Sequence, residues 1–142
     1  VEHLRDLLNQ RGMSNKLVSN QIEYSLVNRA IESNRFSDIE LIAWSPLGRG
    51  VLTGKYLSGV PFDSRGASTS SLPVDVYFDG SSTELVKAIV DRASAMKVAP
   101  AALALAWIRD FGVCNFAVLG ARTVEQLTES LEVVKLPRTS EF

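Results

Sequence analysis

Apolar residues recur at helical spacing in four parts of the chain. The pattern is short over residues 2–11 and clear over residues 83–97, where the charged side chains fall on the opposite face. An Ala- and Leu-rich run begins with a proline at residue 100 and is predicted to form a helix buried on several sides that stops near residue 112. A fourth helix is predicted over residues 123–131.

Three short apolar runs lie between these helices and are typical of strands. They span residues 17–22, 41–44 and 116–119, and the first is expected to be buried. A weak helical pattern over residues 28–38 indicates only a short crossover helix. Strands separated by helices favour an α/β fold with a parallel sheet. Three parallel strands make an incomplete sheet, because such sheets need both faces covered and their edges protected.

Two loops stand out between these elements. Residues 45–50 contain a proline and two glycines, which end the preceding strand and start a specialised loop. Residues 57–82 are rich in Ser, Gly, Pro and Asp and form a connection longer than the ~15 residues usual inside a compact domain. This long loop is the candidate lid.

Composition narrows the possible partners. The chain has 142 residues, enough for one domain, and its 15 basic and 16 acidic side chains give no bulk field for nucleic acid or an anionic membrane. No apolar stretch approaches the ~20 residues of a membrane span, and Cys114 is the only cysteine, so a cytoplasmic location is expected. The chain starts inside a helical pattern, and we therefore expect further sequence upstream.

Residues that could hold a nucleotide follow the predicted strands. Gln21 and Tyr24 end the first strand, Trp44 and Ser45 the second, and residues 120–122 follow the third. Ligands of β/α proteins bind beyond the carboxyl ends of strands. Together with the cations Lys55 and Arg65, these groups could hold a flat ring and a phosphate.

Structural explanations exist for the same residues. Trp44 could be a core aromatic, Lys55 and Arg65 solvated loop charges, and Gln21 a strand cap. Thr123 and Gln126 have the spacing of a capping box. No GxGxxG or Walker pattern is present, so neither motif explains a nucleotide site, and no set of metal ligands is identified.

Four segments carry a resemblance to a known family. Residues 20–26 read NQIEYSL, residues 43–56 AWSPLGRGVLTGKY, residues 103–107 LALAW and residues 120–127 GARTVEQL. In order and spacing they resemble the second half of aldo-keto reductases, in the branch that includes potassium-channel β subunits. The resemblance implies a partial (β/α)8 TIM barrel over residues 1–142, comprising about its last three β/α units and containing the long loop.

The resemblance also implies an NADP(H) site. Gln21 would bind the nicotinamide carboxamide and Trp44 would stack on the ring, while Lys55 and Arg65 would meet phosphate groups. Residues of the loop after Trp44 would line the pyrophosphate, and those after the last strand would hold the adenosine end. The implied cofactor-binding residues are Gln21, Trp44, Ser45, Leu47, Gly50, Lys55, Arg65, Gly120, Arg122, Gln126 and Glu129.

The chain departs from the family in what it lacks. The family's catalytic Asp, Tyr, Lys and His lie in its first half, and Tyr24 and Lys55 match other positions. Ser130 stands where the family usually has an adenine-contacting Asn. We therefore expect no catalytic residue here, and a truncated chain that is inactive alone although its parent reduces aldehydes or ketones. Alternatives are a non-catalytic nucleotide-binding or interaction module, and a half-barrel that pairs with its own copy or a first-half chain.

Overall fold

The computed structural model of the chain describes residues 2–13, 17–33, 39–62, 64–67 and 80–140. The helices are α1 (Glu2–Gln10), α2 (Gly80–Met96), α3 (Pro100–Phe111) and α4 (Val124–Leu131), and the strands are β1 (Ser19–Glu23), β2 (Glu40–Trp44) and β3 (Phe116–Ala117). Short 3-10 helices cover Ala30–Ser33, Arg65–Ala67 and Glu132–Lys135, and Gly48–Thr53 contains 3-10 turns interrupted by a kink at Arg49 and Gly50. Within these ranges no helix is both long and apolar enough to cross a membrane.

The three strands form one parallel sheet in the order β1-β2-β3, which confirms the predicted α/β class. β3 has two residues instead of the four predicted. It is preceded by Asn115, whose side-chain oxygen accepts a hydrogen bond from the Leu41 N–H at 2.9 Å while its own N–H donates to the Leu41 carbonyl at 2.8 Å. Asn115 thus fixes the register of β3 on β2.

The two faces of the sheet differ in cover at β2, whereas both residues of β3 are exposed. Leu41 and Ala43 are buried, and Ala43 belongs to the core cluster with residues of α2 and α3. The alternate positions point to the other face, where Gln21 pairs with Ile42 and Phe116 is 59 % exposed. The prediction of a buried first strand was therefore wrong: β1 has a hydrogen-bonded neighbour on one side and is only partly covered.

The core is formed by α2, α3 and the segment after β2, with Ala43 contributed by the sheet. Every residue of α3 from Ala101 to Ile108 is buried, as the Ala- and Leu-rich run predicts, because small side chains let neighbouring elements approach on all sides. α2 buries Val86, Ile89 and Ala93. It begins at Gly80, so the predicted loop over residues 57–82 extends three residues too far. Ser81 and Ser82 belong to the first turn of α2, a position that serine favours.

Two other predicted elements differ from expectation. α1 forms where its leucine spacing predicts, yet Leu4 is 48 % and Leu7 41 % exposed, so its apolar face is largely uncovered. The short crossover helix is a 3-10 turn at Ala30–Ser33, and residues 34–38 lie outside the described part of the chain.

The end of the described chain is tied to α3 by Arg109. Its guanidinium donates to the carbonyls of Val133 at 2.7 Å, Leu136 at 3.1 Å and Pro137 at 3.1 Å. It also binds Asp110 through both carboxylate oxygens, and these bonds lower the pKa of Asp110. The segment after α4 is thereby held on the core.

Candidate functional site

A cleft of about 550 Å³ opens where β2 and β3 end. One wall is the loop of residues 45–55 after β2, and the opposite wall comprises residues 118–122 with the inner side of α4. Pro100 and Ala101, at the start of α3, form its floor. The cleft therefore lies at the carboxyl end of the sheet, where β/α proteins bind ligands.

The loop after β2 has an unusual backbone. Ser45 and Arg49 have φ values of 51° and 56°, and Gly48 and Gly50 have φ values of 54° and 93°. Non-glycine residues seldom adopt positive φ, and such outliers concentrate at functional sites. The loop is held by its own hydrogen bonds, among them Gly48 N–H to the Ser45 carbonyl at 2.8 Å and Thr53 hydroxyl to the Gly50 carbonyl at 2.8 Å.

Gly50 makes room for Lys55 beside the cleft. A Cβ at Gly50 would lie 2.7 Å from Lys55 Cε and 2.9 Å from Lys55 Nζ, closer than side chains pack. Lys55 Nζ also lies 5.0 Å from the Tyr56 ring centroid, at cation–π distance. Only a glycine at residue 50 lets the lysine side chain follow this path.

The opposite wall is organised by the N-terminus of α4. The Thr123 side chain accepts a hydrogen bond from the Gln126 N–H at 3.3 Å, as capping predicts, and Gln126 Oε1 accepts from the Arg122 N–H at 2.9 Å. Ser130 is buried, and its hydroxyl donates to the Gln126 carbonyl at 2.8 Å. The Ser130 side chain thus lines the cleft, but its hydroxyl proton is used in a hydrogen bond within α4.

Charge in the cleft is mainly positive. Three cationic residues line it, Arg49, Lys55 and Arg122, against one carboxylate, Glu129. The whole chain has a net charge of only −1, so this cluster is a local feature. Anions bind preferentially to such a site.

Trp44 and Gln21 lie beside the cleft on the exposed face of the sheet. Gln21 pairs with Ile42, two positions before Trp44, so the two side chains share that face on neighbouring strands. The Arg49 guanidinium carbon lies 6.0 Å from the centroid of the Trp44 ring. Arg49 also forms a 3.5 Å ion pair with Glu23, the residue that pairs with Trp44.

The structure brings most of the predicted cofactor-binding residues together. Neither Gln21 nor Trp44 is among the cleft-lining residues, and the side chain of Arg65 lies outside the described part of the chain. Tyr24 directly follows β1, as predicted, but its side chain is fully buried in the core and does not line the cleft. The predicted residues that line the cleft are Ser45, Leu47, Gly50, Lys55, Gly120, Arg122, Gln126 and Glu129.

The Tyr24 hydroxyl is hydrogen-bonded inside the protein to two other residues. It donates to Glu32 at 2.6 Å and accepts from the Val113 N–H at 3.4 Å. Burial, and then the hydrogen bond to Glu32, raise the pKa of Tyr24 well above its usual range. This phenol is unsuited to donating a proton to a ligand in the cleft.

Sequence reasoning missed several cleft residues. Arg49 could have been predicted, because it lies in the glycine-containing loop of residues 45–50. Pro100 and Ala101 gave no signal, because only tertiary packing brings the start of α3 to the cleft. Among the described residues, no group of three or more His, Cys, Asp or Glu side chains is placed to hold a metal ion.

Comparisons with known proteins agree with the resemblance seen in the sequence. The aldo/keto reductase family matches residues 1–142. Protein tas of Escherichia coli (strain K12) is 35 % identical over 127 residues, covering 85 % of this chain and 36 % of the relative. The aldo-keto reductase yakc [NADP(+)] of Schizosaccharomyces pombe is 31 % identical over 127 residues, covering 82 % of this chain and 36 % of the relative.

A second Schizosaccharomyces pombe protein, named as a candidate voltage-gated potassium channel subunit beta, is 37 % identical over 95 residues, or 65 % of this chain and 28 % of the relative. The chain thus spans about a third of the length of the curated relatives it matches.

Proposed function

Because the chain belongs to the aldo/keto reductase family, we propose that it forms the NADP(H)-binding portion of an oxidoreductase that reduces aldehydes or ketones. One observation carries the proposal. Eight of the eleven residues that the family resemblance implies for cofactor binding line a single cleft, although they come from two separate segments of the chain. The name of one relative, which includes NADP(+), supports the choice of nucleotide.

The phosphate groups would be held by the cationic walls of the cleft. Lys55, whose side chain passes over Gly50, would meet them from one wall, and Arg122 from the other. Charge-assisted hydrogen bonds of this kind contribute roughly 1.5 to 3 kcal/mol each. Two such contacts favour a nucleotide with an additional phosphate, which is NADP(H) rather than NAD(H).

The nicotinamide would lie beside the cleft on the exposed face of the sheet. When bound, the cofactor supplies the hydride for reduction of the carbonyl. Gln21 offers an amide that can both donate to and accept from a carboxamide. Trp44 offers an aromatic face at the end of the neighbouring strand, and the pair would orient the ring.

We infer that the catalytic tetrad is not supplied by this chain. Tyr24 is buried and bonded to Glu32, and Lys55 belongs to the cleft loop, so neither is placed as a proton donor to a substrate. Tyr56, which follows Lys55 in the chain, is also buried, and its hydroxyl accepts a hydrogen bond from the Gly66 N–H at 3.2 Å. The chain would therefore hold the cofactor without reducing a carbonyl by itself.

Nucleotide titration of the chain and its variants tests the cofactor proposal. Lys55→Ala and Arg122→Ala should each weaken NADPH binding about tenfold or more, because each removes a charge-assisted contact. Lys87→Ala, on the exposed side of α2, is the matched control and should leave the dissociation constant unchanged. Absence of any NADPH-induced rise in melting temperature for the parent chain would reject the proposal.

The exposed face of the sheet supports the proposal that the three strands belong to a (β/α)8 barrel. Phe116 is 59 % and Val118 48 % exposed on the side that would face a barrel interior, which inward side chains normally fill. We propose that further strands of the barrel cover this face. Without them the chain should self-associate as concentration rises in sedimentation velocity. A chain that stays monomeric at every concentration would contradict the proposal that further strands cover the exposed face of the sheet.

A further inference from the structure

Arg49 joins the cleft to the Trp44 face. It is one of the cleft-lining residues, whereas Trp44 and Glu23 are not. Its side chain is only 10 % exposed, and it extends from the cleft to lie over the Trp44 ring, 6.0 Å from the centroid, with one guanidinium nitrogen 3.5 Å from Glu23. The backbone of Arg49 has a positive φ of 56°, and this conformation directs the side chain towards Trp44.

This position sets two parts of the proposed site apart. The cations of the cleft can be reached with Arg49 in place, because they line it together. The Arg49 guanidinium carbon lies 6.0 Å from the Trp44 ring centroid, so the guanidinium takes up part of the space that an aromatic ring stacked on that face would need. A ligand that fills only the cleft leaves this arrangement intact. A ligand that also stacks on this face of Trp44 has to displace Arg49.

We propose that Arg49 is a specificity-determining residue that discriminates between a whole dinucleotide and its adenosine phosphate half. The inference rests on the proposed nucleotide function and deepens it. An adenosine 2′,5′-bisphosphate binds in the cleft without moving Arg49. NADPH binds in the same cleft, but its nicotinamide stacks on the Arg49 side of Trp44 only after the guanidinium leaves the ring and the Glu23 carboxylate.

Two substitutions remove the guanidinium without straining the loop. Arg49→Gly and Arg49→Asn both place residues that tolerate positive φ at this position. Calorimetry should show that each variant binds NADPH about threefold to tenfold more tightly than the parent chain, since the cation–π contact and ion pair no longer compete with the ring. Binding of adenosine 2′,5′-bisphosphate should change less than about twofold, because the Arg49 charge is paired with Glu23 rather than turned to the phosphates.

Arg29 provides a matched control. Its guanidinium lies 5.0 Å from the Trp107 ring centroid and pairs with Glu32, which repeats the same three residue types away from the cleft. Arg29→Asn should leave both dissociation constants unchanged. Glu23→Gln supplies a second approach that leaves the loop backbone untouched, and it should tighten NADPH binding in the same direction by a smaller factor.

The outcomes separate the two proposals. Equal weakening of NADPH and the bisphosphate in both Arg49 variants would make Arg49 a phosphate ligand and overturn the inference. Unchanged affinity for both ligands, in variants whose circular dichroism matches the parent, would overturn it as well. A parent chain that binds neither ligand rejects the nucleotide function itself, and the inference with it.

Discussion

Two clusters in this protein contain the same three residue types, an arginine over a tryptophan and a glutamate that pairs with the arginine. In the Trp107 cluster, Arg29 binds Glu32 through two contacts of 2.9 and 2.8 Å, and Glu32 also accepts from the Tyr24 hydroxyl. In the Trp44 cluster, the ion pair is 3.5 Å long. The first joins the core to the turn after β1, whereas the second lies beside the cleft.

The difference lies in what surrounds each ring. Trp107 is 5 % exposed, and its ring centroid is 5.6 Å from that of Tyr24, so the cluster rests on a packed core. Trp44 ends β2 on the sheet face that is only partly covered. Identical residue types thus serve packing in one place and, by our proposal, ligand selection in the other. Local geometry and burial, rather than composition, distinguish the two.

Removing each tryptophan is expected to give the largest contrast. Trp107→Ala should destabilise the chain by about 3 to 5 kcal/mol, since it empties a large core position. Trp44→Ala should cost about 1 kcal/mol, because less of its surface is buried, and should weaken NADPH binding about threefold to tenfold. Urea unfolding and nucleotide titration measure the two effects. Equal losses of stability would remove the distinction between the clusters.

The two glutamates should show a smaller contrast that depends on pH. The hydrogen bonds from Arg29 and then Tyr24 lower the pKa of Glu32 below its ordinary value of 4.5, so ionised Glu32 stabilises the fold above that pH. This stability is lost as the pH falls through the lowered pKa. Glu32→Gln should cost about 1 kcal/mol at neutral pH, discounted because Arg29 is half exposed.

The same substitution should also make stability less dependent on pH below 4.5. Glu23→Gln is the matched variant, and it should change stability by less than about 0.5 kcal/mol. Urea unfolding at neutral and acidic pH makes the comparison. An acid-sensitive stability that persists in Glu32→Gln would show that other carboxylates are responsible.

Sequence reasoning succeeded where the determinants are local. The proline and glycines after Trp44 define the loop beside β2, and the Thr123 and Gln126 spacing predicts the cap that organises the opposite wall. The order of helices and strands likewise follows from apolar periodicity. Those features depend on neighbours a few residues apart, which a sequence displays directly.

It failed where the answer depends on distant residues. The run at residues 17–22 reads as a buried strand, but burial of β1 requires partners that the described part of the chain does not place beside it. The position of Tyr24 depends on Glu32 and Val113, and the floor of the cleft depends on how α3 packs. The path of Arg49 depends on a backbone conformation that its identity does not suggest.

The left-handed run at residues 48–50 has a thermodynamic consequence for any ligand that enters the cleft. Because this loop is closed by hydrogen bonds such as Gly50 N–H to the Leu47 carbonyl at 3.0 Å, its conformational entropy is lost when the chain folds. Association then requires little further ordering of the main chain, so more of the contact energy is available as affinity. The wall of the cleft is, in this sense, preorganised.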